Sequence, residues 1–359
     1  MYTGQQVRVL WNGVSSANFP VSNGVKQGAI VSPILFCVYI DTLLIELKKA
    51  GVGFFIGNWF VAALGYADDV ILMAPTARAM RKMLGVCDKF ASEFNVIFNA
   101  NKSKCITFNR QNYLVAQAPS RHSVLPLFSI SGNYIENVYS WSHLGHILSA
   151  NLLDDNDILA RRNVLVGQIN SFLCNFYAVD VSVKNALFRV YCSSHYGSEL
   201  WDLTNRRIED YCVAWRRGLR KLWKLPYDCR SSNVAVVSNT VPIYDELCRR
   251  VMNFIHSCLH CDSNLVKSIV LNGIYAGMSS PIGRNVAHCS AHFNLGIGSI
   301  GVSKLRSHEC LDFCYNRIDT QSAVRANVLR EVLMIRDGLL EFSSDLFEVS
   351  EFDDFVKLL

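Results

Sequence analysis

The chain has 359 residues, 50% of them hydrophobic and 18% charged, and this composition excludes a wholly disordered protein. The length predicts two or three domains. A long uncharged stretch, residues 50–67, is interrupted by glycines, which predicts turns rather than a membrane span. The N-terminal residues lack the apolar segment of a signal peptide, and 13 widely spaced cysteines are typical of reduced thiols. We therefore expect an intracellular protein of the cytoplasm, the nucleus or both, neither secreted nor embedded in a membrane.

The net charge of +5 is distributed unevenly along the chain. Residues 1–110 carry +5, residues 111–260 carry +3 and residues 261–359 carry −3. Binding to a polyanion is therefore a better hypothesis for the first two thirds of the chain than for the last third. An ordinary solvated surface is the alternative that charge alone leaves open.

The first 110 residues predict a mixture of helices and short strands. Apolar residues recur at helical spacing over 34–49 and 77–95, which predicts two helices. The dipeptides Asn12-Gly13 and Gly57-Asn58 predict tight hairpin turns. Alternating or continuous apolar runs predict the strands, which cover residues 6–11, 53–56, 59–66, 70–74, 96–98 and 105–108.

After about residue 150 the periodicity becomes helical. The predicted helices cover residues 154–179, 182–200, 206–225 and 245–260, with a last one from Ser322 to about Arg336. Residues 278–300 are rich in Gly and Ser and show little periodicity, which predicts a linker. The acidic tail that follows Arg336 is interpreted as a solvated terminal helix, with binding to a basic partner as the alternative.

Asp68 and Asp69 lie between two apolar strands, at the expected tip of a hairpin. Paired carboxylates suit a hard cation such as Mg²⁺, which takes oxygen ligands and keeps positions for substrate phosphates. Two such ions would clamp the attacking and leaving oxygens of a phosphoryl transfer. The dipeptide by itself is more often ordinary turn chemistry.

The residues around this turn favour metal binding by Asp68 and Asp69 over ordinary turn chemistry, because several short motifs follow one another in a fixed order. The motifs are Gly24-Val25-Lys26-Gln27-Gly28 with Ser32-Pro33, then Tyr66-Ala67-Asp68-Asp69, then Asn99 with Lys102-Ser103-Lys104, and finally His143-Leu144-Gly145. In this order and spacing they closely resemble motifs B, C, D and E of the reverse transcriptases of non-LTR (LINE-type) retrotransposons. Residues 154–158, 191–201 and 215–226 look like the segment that follows the polymerase in those elements.

The resemblance implies an α+β fold of three parts. Residues 1–150 would form a partial reverse-transcriptase palm, and residues 151–235 a helical thumb-like region. Residues 236–359 would form a helical C-terminal region containing the linker near 278–300. The family activity is RNA-directed DNA polymerisation, in which a primer 3′-hydroxyl attacks a dNTP on an RNA template with Mg²⁺ as cofactor. No specific protein partner is indicated.

Site roles follow from the resemblance, position by position. Asp68 and Asp69 would bind Mg²⁺, and Lys102 would lie near the triphosphate. Leu144 and Gly145 would belong to the primer grip. The residues that would face the incoming nucleotide and template are Gln27, Gly28, Ser32, Pro33 and Tyr66. Without the motif order, a solvated loop would be preferred for Lys102 and an ordinary turn for Gln27.

One feature departs from the family pattern. Polymerases of this family need a further aspartate on a strand before motif B, but residues 1–40 contain no Asp or Glu and the first acidic residue is Asp41. We therefore expect the chain to be a fragment truncated before motif A and unable to polymerise DNA alone. A non-catalytic nucleic-acid-binding remnant, or a pseudogene product without a role, are the alternatives.

The segment 211–224 predicts an amphipathic helix with a basic face. Tyr211, Trp215 and Leu219 fall on its apolar arc. Contact with a primer–template backbone is one interpretation, and an ordinary solvated face is the other. The residues of the basic arc are Arg216, Arg217, Arg220, Lys221 and Lys224.

A zinc site is one interpretation of two cysteines and two histidines in the C-terminal region. Cys258 and Cys261 form a CxxC pair, and His288 and His292 lie downstream. The gap between the two pairs is much longer than that of a C₂H₂ finger, and Cys258 fits the apolar stripe of its own helix. Buried structural thiols are therefore the preferred interpretation.

Overall fold

A computed structural model describes residues 4–21, 28–108 and 125–293. The chain divides into two compact units, one within residues 1–107 and 114–139 and the other within residues 108–113 and 140–359. Gln27, the helix predicted from Ser322 and the acidic tail lie outside the described residues.

The described strands of the first unit are short and pair mainly as antiparallel hairpins. The pairs are β1 with β4, β2 with β3, β5 with β6, β7 with β8 and β10 with β11, while β11 also pairs with β9 in parallel. The strands are β1 (Gln5–Val7), β2 (Leu10–Trp11), β3 (Val14–Ser15), β4 (Phe19–Val21), β5 (Phe55–Ile56), β6 (Trp59–Phe60), β7 (Ala63–Tyr66), β8 (Asp69–Leu72), β9 (Lys104–Cys105), β10 (Phe128–Ile130) and β11 (Asn133–Asn137). The predicted turns at Asn12-Gly13 and Gly57-Asn58 are confirmed.

Two helices form the core of the first unit, α1 (Ser32–Lys49) and α2 (Ala77–Phe94). Both agree with the helices predicted from apolar spacing. Leu43 and Leu47 of α1 are fully buried, and Tyr39 packs edge-on against two aromatic rings of α2. The Tyr39 hydroxyl also donates a hydrogen bond of 2.7 Å to the carbonyl of Phe94, which ties α1 to the C-terminal end of α2.

The second unit begins with a hairpin and continues with packed helices. Its strands are β12 (Ser140–His143) and β13 (His146–Ser149). The helices are α3 (Asp155–Asn175), α4 (Val181–Cys192), α5 (Arg207–Leu222), α6 (Ser231–Ser238), α7 (Ile243–Leu259), α8 (Asn264–Tyr275) and α9 (Pro281–His292). Trp201 and Phe188 are completely buried in one continuous apolar core. Among the described residues, no helix combines the length and the apolar character that crossing a bilayer requires.

Two sequence predictions in the second unit need correction. The helix predicted over 182–200 ends at Cys192, because His195 and Gly197 adopt positive φ angles of 44° and 79°. The linker predicted over 278–300 is wrong for residues 281–292, which form α9. The prediction rested on the glycine content of the segment. In the structure, a Cβ on Gly283 would lie 2.1 Å from the Gly277 carbonyl oxygen. The glycine therefore allows close packing rather than flexibility.

Candidate functional site

The β7–β8 hairpin places Asp68 and Asp69 at its tip, as predicted. Tyr66 pairs with Asp69 across the ladder, so Ala67 and Asp68 form a two-residue turn. Ala67 has a positive φ of 51°, which is unusual for a residue other than glycine. The tight turn therefore holds the two carboxylates next to each other at the end of the hairpin.

The two faces of this hairpin have different surroundings. Paired residues of a ladder share a face, so Tyr66 and Asp69 lie on the same side, together with Leu64. These three side chains are exposed, with Tyr66 at 65%. The opposite face packs on α1, where the side chain of Leu44 lies 3.5 Å from the position of a Cβ on Gly65. The hairpin is thus anchored on one face and open to solvent on the other.

A cavity of about 350 Å³ lies where α1 meets this turn. Gly65 and Ala67 line it from the hairpin, and Asp41 lines it from α1. Asp41 is one turn of helix after Cys37, another lining residue. The first acidic residue of the chain therefore lies in the groove beside the metal-binding turn predicted from the sequence.

The carboxylates of Asp68 and Asp69 suit a hard divalent cation chemically. Both side chains are exposed, and neither shares a hydrogen bond or an ion pair with another described residue. Two carboxylates supply only part of a coordination sphere. Within the described ranges, no cluster of three or more His, Cys, Asp or Glu side chains is arranged to hold a metal ion.

The residues predicted to face the nucleotide differ in exposure. Gly28 has a φ of 84°, and no described residue lies within 4 Å of the position a Cβ would occupy, so none of them blocks the approach of a ligand to its backbone. Pro33 is exposed in the first turn of α1, whereas Ser32 is 5% exposed. The buried Ser32 hydroxyl is therefore less accessible to a nucleotide than Gly28 or Pro33.

Lys102 lies in a tight turn after α2. Its backbone N–H donates to both the carbonyl and the side-chain oxygen of Asn99, at 3.1 and 3.2 Å. The Ser103 hydroxyl donates to the same carbonyl at 3.0 Å. The turn leaves the Lys102 side chain exposed, while Lys104 forms an ion pair of 2.6 Å with Glu136. The Asn-x-x-Lys pattern thus fixes the backbone and leaves the Lys102 ammonium group accessible.

Leu144 and Gly145 form the two-residue turn of the β12–β13 hairpin in the second unit. Their φ angles are 48° and 78°, the combination that a type I′ turn requires. The Tyr196 hydroxyl donates a hydrogen bond of 2.8 Å to the Leu144 carbonyl, and Arg161 donates to the Gly145 carbonyl. The Leu144 side chain remains 43% exposed.

Comparison with known proteins identifies the segment that carries these motifs. The profile of the family described as "Reverse transcriptase (RNA-dependent DNA polymerase)" matches residues 2–148. Residues 2–148 are similar to this family, and the match supports a reverse transcriptase of the non-LTR type. The mixed α/β structure of the described residues agrees with this assignment.

Three relatives are retrotransposon proteins. The chain is 31% identical over 128 residues to the Pol polyprotein of the type-2 element R2DM of Drosophila melanogaster, a match of 33% of this chain and 12% of that protein. It is 22% identical over 275 residues to the RNA-directed DNA polymerase from the mobile element jockey of Drosophila funebris, 73% of this chain and 28% of that protein. Identity to the Pol polyprotein of the type-1 element R2 of Popillia japonica is 31% over 96 residues, 26% of this chain and 14% of that protein. The chain thus spans less than a third of each relative.

Beyond the reverse transcriptase segment, the amphipathic helix predicted over 211–224 is confirmed as α5, which ends at Leu222. Its apolar arc is buried, including Tyr211 and Trp215. The cations of the basic arc fall into two groups, those bonded to other protein groups and those exposed to solvent. Arg216 forms an ion pair with Glu209, and Arg220 donates 2.7 Å and 3.3 Å hydrogen bonds to the Cys229 carbonyl and the Ser231 hydroxyl. The exposed cations are Arg217, Lys221 and Lys224.

The cysteines and histidines considered for zinc have other partners in the structure. Cys261 donates to the Cys258 carbonyl at 3.1 Å. His288 is hydrogen-bonded to the Tyr244 hydroxyl, and His292 is hydrogen-bonded to the Asp245 carboxylate. These contacts agree with a structural role for both pairs.

Sequence reasoning did not find the residues that contact the Leu144-Gly145 turn. Tyr196 is 52 residues from Leu144, and no pattern along the chain connects them. Asp157, which the sequence analysis named only within the family-like segment 154–158, accepts a 2.9 Å hydrogen bond from the Ile147 N–H of the same hairpin.

Proposed function

We propose that this chain supplies the metal-binding turn and nucleic-acid-binding surfaces of an RNA-directed DNA polymerase. The observation that carries the proposal is the exposed Tyr66-Ala67-Asp68-Asp69 hairpin within a reverse transcriptase segment. The substrates would be an RNA template, a DNA primer and a dNTP. The palm would lie in residues 1–150, with a thumb and a helical C-terminal region following it.

Asp68 and Asp69 would hold Mg²⁺ through their carboxylate oxygens. A divalent cation bound there would stabilise negative charge on the phosphoryl oxygens of the dNTP. The open backbone at Gly28 and the exposed ammonium of Lys102 support binding of the nucleotide and its phosphates. Gln27, Ser32, Pro33 and Tyr66 would complete the nucleotide and template contacts.

The chain by itself is expected to be inactive. Two adjacent carboxylates fill part of a cation's coordination sphere, and the described residues offer no cluster of three. A two-metal reaction needs oxygen ligands that bridge both ions. We infer that an aspartate from a further segment must join Asp68 and Asp69.

The experiment is template-directed dNTP incorporation with Mg²⁺ on a primed RNA. It compares the 359-residue chain with a version extended upstream by a strand that carries the missing aspartate, and with the extended D68N/D69N variant. We expect incorporation in the extended version alone. Since both side chains are exposed, D68N/D69N should alter the unfolding free energy by less than about 0.5 kcal/mol per site. A loss of activity would then reflect chemistry rather than folding.

Activity of the unextended chain that disappears in D68N/D69N would contradict the inferred incompleteness. Asp41 would then be the first residue to test as a substitute ligand, because it lines the cavity beside the turn. Activity that survives D68N/D69N would contradict the proposed site itself.

A second candidate function is nucleic-acid binding without catalysis. The observation that favours it is the exposed basic group formed by Arg217 and Lys221 on α5 and by Lys224 just after its end. Salt-dependent binding of a primed RNA, without polymerisation in the extended version, would support this function over the first.

A further inference from the structure

The backbone of the Leu144-Gly145 turn is held by three side chains from the helical part of the second unit. Tyr196 donates to the Leu144 carbonyl, Arg161 donates to the Gly145 carbonyl, and Asp157 accepts from the Ile147 N–H. Every one of these bonds is made to backbone, so their geometry is independent of the side chain that residue 144 carries.

The side chains that hold the turn also contact each other. The Arg161 guanidinium lies 4.9 Å from the centroid of the Tyr196 ring, within the range of a cation–π interaction. Its Nε is 4.0 Å from the Asp157 carboxylate, which is itself 1% exposed. A Cβ on Gly145 would lie 3.3 Å from the Tyr196 ring and 3.4 Å from the guanidinium. The Tyr196 ring and the Arg161 guanidinium therefore pack directly against the turn.

This degree of restraint exceeds what the hairpin needs. A two-residue type I′ turn already fixes its register through the flanking ladder. Leu144 is nevertheless held at a positive φ, a conformation that costs about 1–2 kcal/mol for a residue with a Cβ. Surroundings that over-determine such a backbone are typical of functional sites. The Leu144 side chain projects from this fixed backbone and stays partly exposed.

We propose that Tyr196 and Arg161 are positioning residues that set the Leu144-Gly145 turn against the 3′ end of a primer strand. This inference rests on the proposed function, because it takes the turn to be the primer grip. Neither side chain needs to touch a reacting group. Each acts by fixing the backbone from which Leu144 meets the primer.

The test uses the full chain and a primed RNA whose DNA primer ends in 4-thiothymidine. After irradiation, mass spectrometry gives the fraction of primer cross-links within residues 140–149, and fluorescence anisotropy gives the affinity for the same duplex. Y196F removes the hydroxyl but keeps the ring over Gly145 and the guanidinium. Y275F, at a tyrosine that is 84% exposed, is the matched control. R161K is the second variant, since it keeps the charge and removes the guanidinium.

We expect Y196F and R161K to lower the cross-linked fraction about three- to tenfold, the loss that corresponds to one hydrogen bond. Affinity for the duplex should change less than about twofold, and Y275F should match the wild type. A purely structural role would lower binding and melting temperature instead of redistributing the cross-links. A variant that keeps the wild-type melting temperature distinguishes the positioning role from a purely structural one, and one such variant of the two is sufficient.

Two results would overturn the inference in distinguishable ways. Unchanged cross-links in both variants would refute the positioning role and leave the proposed function intact. A wild-type chain that binds the duplex without cross-links in residues 140–149 would refute the primer contact itself, and failure to bind the duplex would refute the proposed function together with the inference.

Discussion

The Trp201 indole Nε1 donates a 2.8 Å hydrogen bond to the carboxylate of Asp157, 44 residues earlier in the chain. Both side chains are buried, and the same carboxylate also accepts from the Ile147 N–H. The His146 Nδ1 lies 3.2 Å from it. One buried aspartate thus joins the start of α3, the β12–β13 hairpin and the segment before α5.

Removal of this carboxylate should destabilise the second unit. In D157A the Trp201 and Ile147 donors would be buried without partners, and each such group costs about 1–3 kcal/mol. We expect the free energy of unfolding to fall by about 2–4 kcal/mol, measured by urea titration. D180N, at an exposed aspartate, is the control and should stay within about 0.5 kcal/mol of the wild type. A D157A protein as stable as D180N would contradict this account.

The His146–Asp157 pair predicts a pH-dependent stability. The Asp157 carboxylate raises the pKa of His146, although burial acts in the opposite direction. A raised folded-state pKa stabilises the protein below the unfolded value, about 6.5, and this contribution is lost as pH rises through the folded value. The difference in unfolding free energy between the wild type and H146Q should therefore be largest near about pH 6 and shrink above it.

The control for this pH effect is the same substitution made in a D157N background. The difference in unfolding free energy between D157N and D157N/H146Q should no longer shrink as the pH rises, because the carboxylate that raises the pKa of His146 is gone while the burial that lowers this pKa remains. A difference between the wild type and H146Q that grows with pH would contradict the assignment.

Two glycines within helices, one packed and one exposed, provide a matched test of helix packing. Gly218 of α5 faces Ile169 of α3, and a Cβ there would lie 2.6 Å from the Ile169 Cδ1. Gly167 of α3 has nothing within 4 Å and is exposed. We expect G167A to stabilise the chain by about 0.5–1 kcal/mol through helix propensity, and G218A to destabilise it by about 1–3 kcal/mol through overpacking.

Thermal and urea unfolding of both glycine variants measure this difference. Replacing Ile169 by valine removes the clashing Cδ1, so G218A/I169V should recover part of the stability that G218A loses. Equal effects of G167A and G218A would show that α3 and α5 are not packed as closely as described.

The exposed cations on α5 and just after its end predict a salt-dependent affinity for nucleic acid. The triple variant R217Q/K221Q/K224Q should reduce the slope of log K against log salt by roughly two to three, close to about 0.9 for each phosphate that is no longer neutralised. The charge-matched control is K48Q/K49Q/K89Q, at exposed lysines of the first unit. Equal reductions in the two triple variants would indicate an effect of net charge rather than a binding surface.

Arg216 and Arg220 are expected to behave differently from the three exposed cations. Their guanidinium groups already bind Glu209 and the Cys229 carbonyl, respectively. R220Q should therefore lower stability, measured by urea titration, while leaving the salt slope nearly unchanged. A slope reduced by R220Q as much as by R217Q would show that phosphate competes successfully for Arg220.

The sequence alone predicted local structure and short motifs. Asn12-Gly13 and Gly57-Asn58 determine tight turns because of their own backbone preferences. The helical periodicity of α2 and α5 identified the faces that become buried, and the ordered motifs identified the reverse transcriptase segment. Each of these signals lies within one element or in the order of short motifs.

Contacts between distant residues were decided only by the tertiary structure. Whether Arg220 is a free cation or a bonded one depends on where Cys229 folds back, and Tyr196 meets Leu144 only after α3 and α4 have packed. The same holds for Gly283, whose role in α9 follows from the approach of Gly277 rather than from composition. Periodicity records which face of an element is apolar, but hydrogen-bond partners far apart in the chain are selected by the packing of several elements together.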